Sequence, residues 1–186
     1  MERGSGSLIL DASCLLNLYA TERFKDIAAS LREQVAVADY VLDQEALFIR
    51  REAPTDGEDE QLVVDLSPFV SEGLVEVMHL ASPSEETTFV ALASIIDDGE
   101  AATAALAIHR GCSVATDDRK ARRVLSEQAP TVPLVSTLDL LVRWAETDSV
   151  PLTELRTALE RVRSGASYVP GPRNPHYMWW LKVMRA

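Results

Sequence analysis

Short apolar runs alternate with amphipathic segments along most of the chain. The runs SLIL, VAVADYVL, LVEVMHL, CSVA and VPLVS each have the length and composition of a buried strand. Between them lie segments with apolar residues at helical spacing, such as Phe24, Ile27, Ala28 and Leu31. From Thr137 onward the pattern is helical. Strands that alternate with helices predict an α/β fold with a parallel sheet covered by helices.

Capping signals locate several of the helices. Ser82, Pro83 and Glu85 supply an N-cap, a proline at the first helical position and a capping-box acid. Asp98 is predicted to cap the next helix, which contains the alanine-rich string EAATAALAIHR. Two further helices are predicted over residues 43–51 and 62–72. The string TDGEDE between them predicts a solvated acidic loop.

Length and composition fit one globular domain. The chain has 186 residues, of which 47% are hydrophobic, so it can bury a core. No apolar stretch has the length of a membrane span, and the first residues, MERGSGS, lack the apolar core of a secretory signal. Cys14 and Cys112 have no metal-ligand spacing and are expected to be free thiols. We therefore expect a cytoplasmic protein that does not contact a membrane.

Two aspartates stand where strands of the predicted sheet end. Asp11 follows the run SLIL, and Asp117 follows CSVAT. In open α/β sheets, ligands bind beyond the carboxyl ends of parallel strands, so both side chains can line one pocket. Glu45 and Glu100 lie in predicted helices that can bring their carboxylates to the same place. Carboxylate oxygens are the ligands that Mg²⁺ prefers, and metal ions assist phosphodiester hydrolysis. The pattern therefore predicts a metal-dependent nuclease site.

Each of these acids also has a simpler structural explanation. Either aspartate alone could be the N-cap of a helix that follows a strand. Glu100 alone could complement a helix dipole, and Glu45 alone could be a solvated helix residue. Asp98 and Asp118 are better explained as helix caps, although either could bind a metal-bound water. The combination of acids, rather than any one of them, favours a functional site.

Four strings occur along the chain in a characteristic order. They are DAS after an apolar strand, the glutamate after VLDQ, DDGEAATAALA, and ATDD followed by a basic helix. Together they resemble the PIN-domain ribonucleases, and over about residues 7–140 they are most similar to VapC-type toxins of bacterial and archaeal toxin–antitoxin pairs. The resemblance implies a PIN-like three-layer sandwich with a central parallel sheet flanked by helices. The nuclease domain is expected at 7–146. The chain is longer than a minimal toxin, and 147–186 is expected to be a helical C-terminal extension packed on the same domain.

The resemblance also implies roles for individual residues. The acids that it places around Mg²⁺ or Mn²⁺ are Asp11, Glu45, Glu100 and Asp117. Ser13 matches a small hydroxyl residue that supports the first acid, and Asp118 matches an auxiliary acid. Many family members have aspartate in place of Glu100, which leaves the number of metal ions open. The implied substrate is RNA, cleaved to leave a 5′-phosphate, and the implied partners are a basic antitoxin and frequently a second copy in a homodimer.

The net charge sets a condition on any function that involves RNA. Eighteen lysines and arginines face 29 acids, and the resulting charge of −11 opposes the approach of phosphates. Either the acids cluster around a metal, or the partner is basic. An alternative function is therefore a catalytically silent acidic α/β module that binds a basic protein. A phosphotransfer or receiver domain with Asp11 as acceptor is disfavoured, because no DxDx[TV] string follows that strand. Metal-dependent RNA cleavage separates these functions.

Overall fold

The computed structural model describes residues 6–44, 47–51 and 60–186, which cluster into two compact units. Unit 1 contains the described residues of Met1–Leu15, Arg32–Ala46 and Leu66–Ser136. Unit 2 contains those of Leu16–Leu31, Leu47–Asp65 and Thr137–Ala186. No helix in this part of the chain is both long and apolar enough to cross a bilayer. The division into 7–146 and 147–186 stays a prediction.

Strands and helices alternate through the first three quarters of the chain, as the apolar pattern predicts. The strands are β1 (Ser7–Leu10), β2 (Gln34–Ala38), β3 (Phe48–Arg51), β4 (Glu60–Val63), β5 (Val75–Met78), β6 (Ser113–Ala115) and β7 (Leu134–Val135). The helices are α1 (Ala12–Ala20), α2 (Phe24–Ser30), α3 (Asp39–Gln44), α4 (Ser67–Ser71), α5 (Pro83–Ala93), α6 (Asp98–Arg110), α7 (Arg119–Gln128), α8 (Thr137–Thr147), α9 (Leu152–Gly165) and α10 (Tyr177–Arg185).

Unit 1 is built around a parallel five-stranded sheet in the order β5-β2-β1-β6-β7. Leu8, Ile9 and Leu10 of the central strand have no exposed surface. Such burial is typical of a parallel strand covered by helices. α6 packs against β1, β2 and β6, and most of its buried residues are alanines, whose small side chains allow a close approach. The predicted parallel sheet flanked by helices is confirmed.

An ion pair between a buried glutamate and a partly exposed arginine joins the start of α5 to the end of α6. The predicted capping box is confirmed, because Ser82 Oγ accepts from Glu85 N at 3.2 Å and Glu85 Oε2 accepts from Ser82 N at 3.1 Å. Arg110 Nε donates to Glu85 Oε1 at 2.8 Å, and the same guanidinium donates to the carbonyl of His79. The Arg110 guanidinium and backbone N–H groups hold the pKa of Glu85 at about 2, although burial opposes this. The pair thereby fixes the C-terminal end of α6, whereas Glu100 lies in the first turn of the same helix.

Loss of this ion pair should destabilise the fold in a pH-dependent manner. Glu85→Gln is expected to lower the free energy of unfolding at neutral pH by about 2–3 kcal/mol, because Arg110 loses its buried partner. Since the pKa of Glu85 is depressed, its contribution is present above about pH 4.5 and is lost as the pH falls towards 2. Denaturant titrations at both ends of this range measure the effect, with the exposed Glu86→Gln as a control that should change nothing. A penalty of equal size at both ends would contradict the assignment.

The second predicted strand includes residues that are helical in the structure. β2 ends at Ala38, and the string DYVL that follows begins α3. Asp39 starts this helix, and its Oδ1 accepts a hydrogen bond from Tyr40 N at 2.8 Å. Val41 is fully buried. A short apolar run can be buried equally well as a strand or as a helix, so the apolar pattern does not show where β2 ends and α3 begins.

An antiparallel hairpin replaces parts of two predicted helices. Phe48–Arg51 is strand β3 rather than the end of the predicted helix over 43–51, and Asp43 lies inside α3, which begins at Asp39. β4 occupies the start of the predicted helix 62–72, so the helix α4 is shorter than predicted. Phe48 pairs with Val63 in this hairpin. The backbone groups of both segments form hydrogen bonds across the hairpin, and the spacing of apolar residues within either segment does not reveal this pairing. Most of the predicted loop TDGEDE lies outside the described residues.

Unit 2 combines the hairpin of β3 and β4 with α2, α8, α9, α10 and the end of α1. α8 packs on α2, while α9 packs on β3 and α10 on α9. At Gly165 an added Cβ would lie 3.1 Å from the carbonyl oxygen of Arg50, so the close approach of α9 to β3 favours glycine there. Arg23 pairs with Glu154 at 2.9 Å within the same unit. The helical pattern predicted from Thr137 onward is confirmed.

Candidate active site

The connections of the sheet change direction between β1 and β6. From β1 the chain crosses to β2 on one side, whereas β6 lies on the other side and is followed by β7. A switch of this kind opens a crevice at the carboxyl ends of the two strands. Asp11 follows β1 directly, and Asp117 follows β6 with one residue between. Asp11 N donates to Ala115 O at 3.0 Å, so the two strand ends are hydrogen-bonded neighbours.

Asp11 is a buried carboxyl group, only 3% exposed, at the start of α1. Its Oδ1 accepts from the Ser13 hydroxyl at 2.9 Å and from Cys14 N at 2.7 Å. The Thr116 side chain forms a further hydrogen bond with it. Burial outweighs these bonds and raises the pKa of Asp11, and the charge of Asp117 raises it further. The carboxyl group is therefore held in a fixed position where negative charge is costly.

Asp117 is held beside Asp11 by two neighbours. Cys14 Sγ donates to Asp117 Oδ2 at 3.6 Å, so Cys14 contacts one acid through its thiol and the other through its N–H group. The turn that carries Asp117 is fixed by Arg122, whose Nη1 donates to the Thr116 carbonyl at 2.8 Å. Cys14 is fully buried and Thr116 is nearly so, and both support the two aspartates from the protein interior.

Glu100 reaches the same region from the first turn of α6. Its Oε2 accepts from Asp97 N at 3.3 Å, which makes Asp97 the N-cap, one residue before the predicted Asp98. The pKa of Glu100 is raised to about 7, first by burial and then by the charge of Asp118. The charges of Asp97 and Asp11 add to this repulsion, and the Asp97 N–H group partly offsets it. Near neutral pH the carboxyl group therefore exchanges a proton readily.

An open cleft of about 770 Å³, here called the acidic cleft, lies in front of Asp11 and α6. Its polar lining residues are Asp11, Ser13, Tyr40, Asp97, Asp98 and Glu100. No lysine, arginine or histidine is among the described residues that line it. Four carboxyl groups in one concave surface create a negative potential that attracts cations.

The remaining predicted site residues have different outcomes. Glu45 lies outside the described residues. The interpretation of Asp118 as a cap is confirmed, because its Oδ1 accepts from two N–H groups in the first turn of α7 at 2.7 and 2.8 Å. The predicted cap at Asp98 is wrong. This residue is the first of α6, and its Oδ2 accepts from the Tyr40 hydroxyl at 3.0 Å.

The sequence pattern did not single out three residues that shape this region. Cys14 and Thr116 stand next to the acidic strings, in DASC and ATDD, and Tyr40 stands in the misassigned DYVL. The contacts of Cys14 and Thr116 depend on the pairing of β1 with β6, which brings Asp11 and Asp117 together. Tyr40 enters the cleft only because β2 ends early. For Cys14 and Thr116, the only signal in the sequence is their position near a predicted acid, and for Tyr40 there is none.

The donor atoms of this region fit a hard divalent cation. Asp11, Asp117 and Glu100 offer carboxylate oxygens, and burial and mutual repulsion raise the pKa values of Asp11 and Glu100. Within 6–44, 47–51 and 60–186, no three Asp, Glu, His or Cys side chains are already grouped closely enough to hold a metal ion by themselves. Mg²⁺ does not require such a cage, because it usually binds one or two carboxylates and completes its shell with water and phosphate.

These features define an α/β domain with an acidic site at a switch point of a parallel sheet. The DUF3368 family of PIN domains matches residues 7–172, and the chain belongs to this family. PIN domains are generally nucleases, so the chain has a nuclease fold. No curated protein and no solved structure matches it. The predicted PIN-like fold is thereby confirmed.

Proposed function

We propose that this PIN domain is a divalent-metal-dependent endoribonuclease. Mg²⁺ or Mn²⁺ would be held by Asp11, Asp117 and Glu100, with Glu45 as a fourth ligand. The observation that carries the proposal is the acidic cleft itself, in which burial and neighbouring acids raise the pKa values of Asp11 and Glu100. Ionisation of these carboxyl groups is unfavourable without a bound cation and becomes favourable with one.

The chain's own residues have distinct tasks in this proposal. Ser13, Cys14 N–H and Thr116 orient the Asp11 carboxyl group, which lines the acidic cleft. Glu100, whose pKa is about 7 without a bound cation, can offer an ionised carboxylate to the metal at neutral pH and above. When bound, the metal would activate water and neutralise the charge that develops on the phosphoryl oxygens.

A cleavage assay with mapped product ends tests this function. The purified chain is incubated with single-stranded and hairpin RNAs in Mg²⁺, in Mn²⁺ or in EDTA, and both ends of the products are identified. We expect internal cleavage that requires the metal and leaves a 5′-phosphate. Absence of cleavage with either metal on every RNA would overturn the proposal and favour a silent acidic module that binds a basic protein.

We further propose that the chain is the toxin of a toxin–antitoxin pair, and that an arginine of a basic antitoxin enters the acidic cleft. A guanidinium can form two parallel hydrogen bonds with a carboxylate and would compete with the metal. Arginine-rich peptides should therefore inhibit cleavage more strongly than lysine peptides of equal length and charge. Their inhibition constant should weaken about tenfold for a tenfold rise in Mg²⁺ above saturation. Equal inhibition by both peptides, independent of Mg²⁺, would contradict occlusion of this cleft.

A further inference from the structure

Tyr40 is the aromatic residue among the described lining of the acidic cleft. Its ring lies against Phe89 of α5, with centroids 5.4 Å apart and planes tilted by 49°. Its hydroxyl donates to Asp98 Oδ2 at 3.0 Å. The side chain is partly exposed despite these two contacts. Tyr40 therefore presents a ring whose position is fixed from two sides, which reduces the entropy lost on binding a ligand.

The negative charge of the cleft means that RNA needs an uncharged contact there, and the Tyr40 ring can provide one. The lining carries four carboxyl groups, and no cationic side chain is among its described residues. Phosphates are repelled by such a surface unless a metal compensates. A nucleobase is not charged, so the acids of the cleft do not oppose its stacking on an aromatic ring. The ring can therefore supply affinity that the acids of the cleft cannot.

We propose that Tyr40 is a base-stacking residue, which holds one nucleobase of single-stranded RNA beside the phosphodiester that faces Asp11 and Glu100. The proposal rests on the proposed ribonuclease function and adds the way in which the substrate is positioned. Phe89 supports the ring from α5. Asp98 acts as a positioning residue, because its carboxylate fixes the ring through the hydroxyl. Stacking does not depend on base identity, so the chain would select unpaired RNA rather than one sequence.

Binding of abasic RNA tests the proposal independently of cleavage. Six-nucleotide RNAs, each with one abasic position, are titrated in Ca²⁺ and followed by fluorescence anisotropy. For the unmodified chain we expect one position at which loss of the base weakens binding about 5- to 100-fold. Tyr40→Ala should bind intact RNA as weakly as the unmodified chain binds that abasic RNA, and it should show no further penalty. Tyr40→Phe keeps the ring but loses the hydrogen bond to Asp98, so it should keep most of the penalty.

Two further variants separate stacking from folding effects. Tyr40→Leu retains apolar packing on Phe89 but has no aromatic face, so it should lose the penalty while its thermal unfolding stays close to that of Tyr40→Phe. Val90→Ala, at an exposed position of α5 outside the lining, should bind like the unmodified chain. A penalty that persists in both Tyr40→Ala and Tyr40→Leu would overturn base stacking, as would RNA binding that ignores every abasic position. Binding with the expected penalty but without cleavage in Mg²⁺ would overturn only the ribonuclease function.

Discussion

Asp11→Asn is expected to reduce metal-dependent RNA cleavage by roughly a thousandfold or more, because the charge stabilisation provided by a bound metal is worth several kcal/mol. Folding should remain intact. The amide oxygen can still accept from Ser13 and from Cys14 N–H, which now hold the carboxylate. Burial raises the pKa of Asp11, so removal of the negative charge should leave the free energy of unfolding unchanged or increase it at neutral pH. Asp117→Asn should show the same loss of activity.

Cleavage rates and denaturant unfolding, measured on the same preparations, check this prediction. The exposed Asp148→Asn, in unit 2, serves as the matched control and should cleave at the unmodified rate. Cleavage retained by both Asp11→Asn and Asp117→Asn would show that these acids are not part of the active site. If Asp11→Asn instead unfolds, the negative charge of Asp11 is itself needed for the fold, which is the opposite of the stability change expected here.

The sequence predicts the core of unit 1 well for a physical reason. Strands β1, β5 and β6 lie in short runs that are rich in apolar residues, and the burial of those residues leaves little choice of conformation. Once the strands are parallel, the rule that ligands bind at carboxyl ends brings Asp11 and Asp117 together without further information. The capping box at Ser82 was also visible, because its hydrogen bonds join residues three apart.

Features that depend on distant contacts could not be predicted. β3 pairs with β4 through residues that lie nine to fifteen positions apart, and neither strand shows an alternation that distinguishes it from a helix. The roles of Cys14 and Thr116 arise from the register of β1 with β6. At Asp97 and Asp98 two consecutive acids could each cap α6, and only the hydrogen bond from Asp97 N to Glu100 distinguishes them.

Glu100 should make the metal-free protein less stable as the pH rises from about 4.5 to about 7. The folded chain keeps the proton of Glu100 in this range, whereas the unfolded chain releases it, so the free energy of unfolding falls as the pH approaches the folded-state pKa. With allowance for solvent at this partly exposed group, the loss is roughly 1–2 kcal/mol. In the proposed site, protons and metal would compete for the Glu100 carboxylate, so the apparent dissociation constant for Mg²⁺ should rise about tenfold for each pH unit below 7.

Thermal unfolding and Mg²⁺ titrations across this range measure both effects of Glu100. Glu100→Gln should flatten the stability profile, with a residual slope from Asp11, whose pKa is also raised. The exposed Glu146→Gln, in unit 2, should keep the unmodified profile, since it leaves the acidic cleft unchanged. Mg²⁺ should increase the stability of the unmodified chain most strongly above pH 7, where Glu100 is ionised. If the stability of Glu100→Gln depends on pH as that of the unmodified chain does, Glu100 is not the group that binds a proton between pH 4.5 and about 7. If the stabilisation by Mg²⁺ does not depend on pH, Glu100 is not a metal ligand.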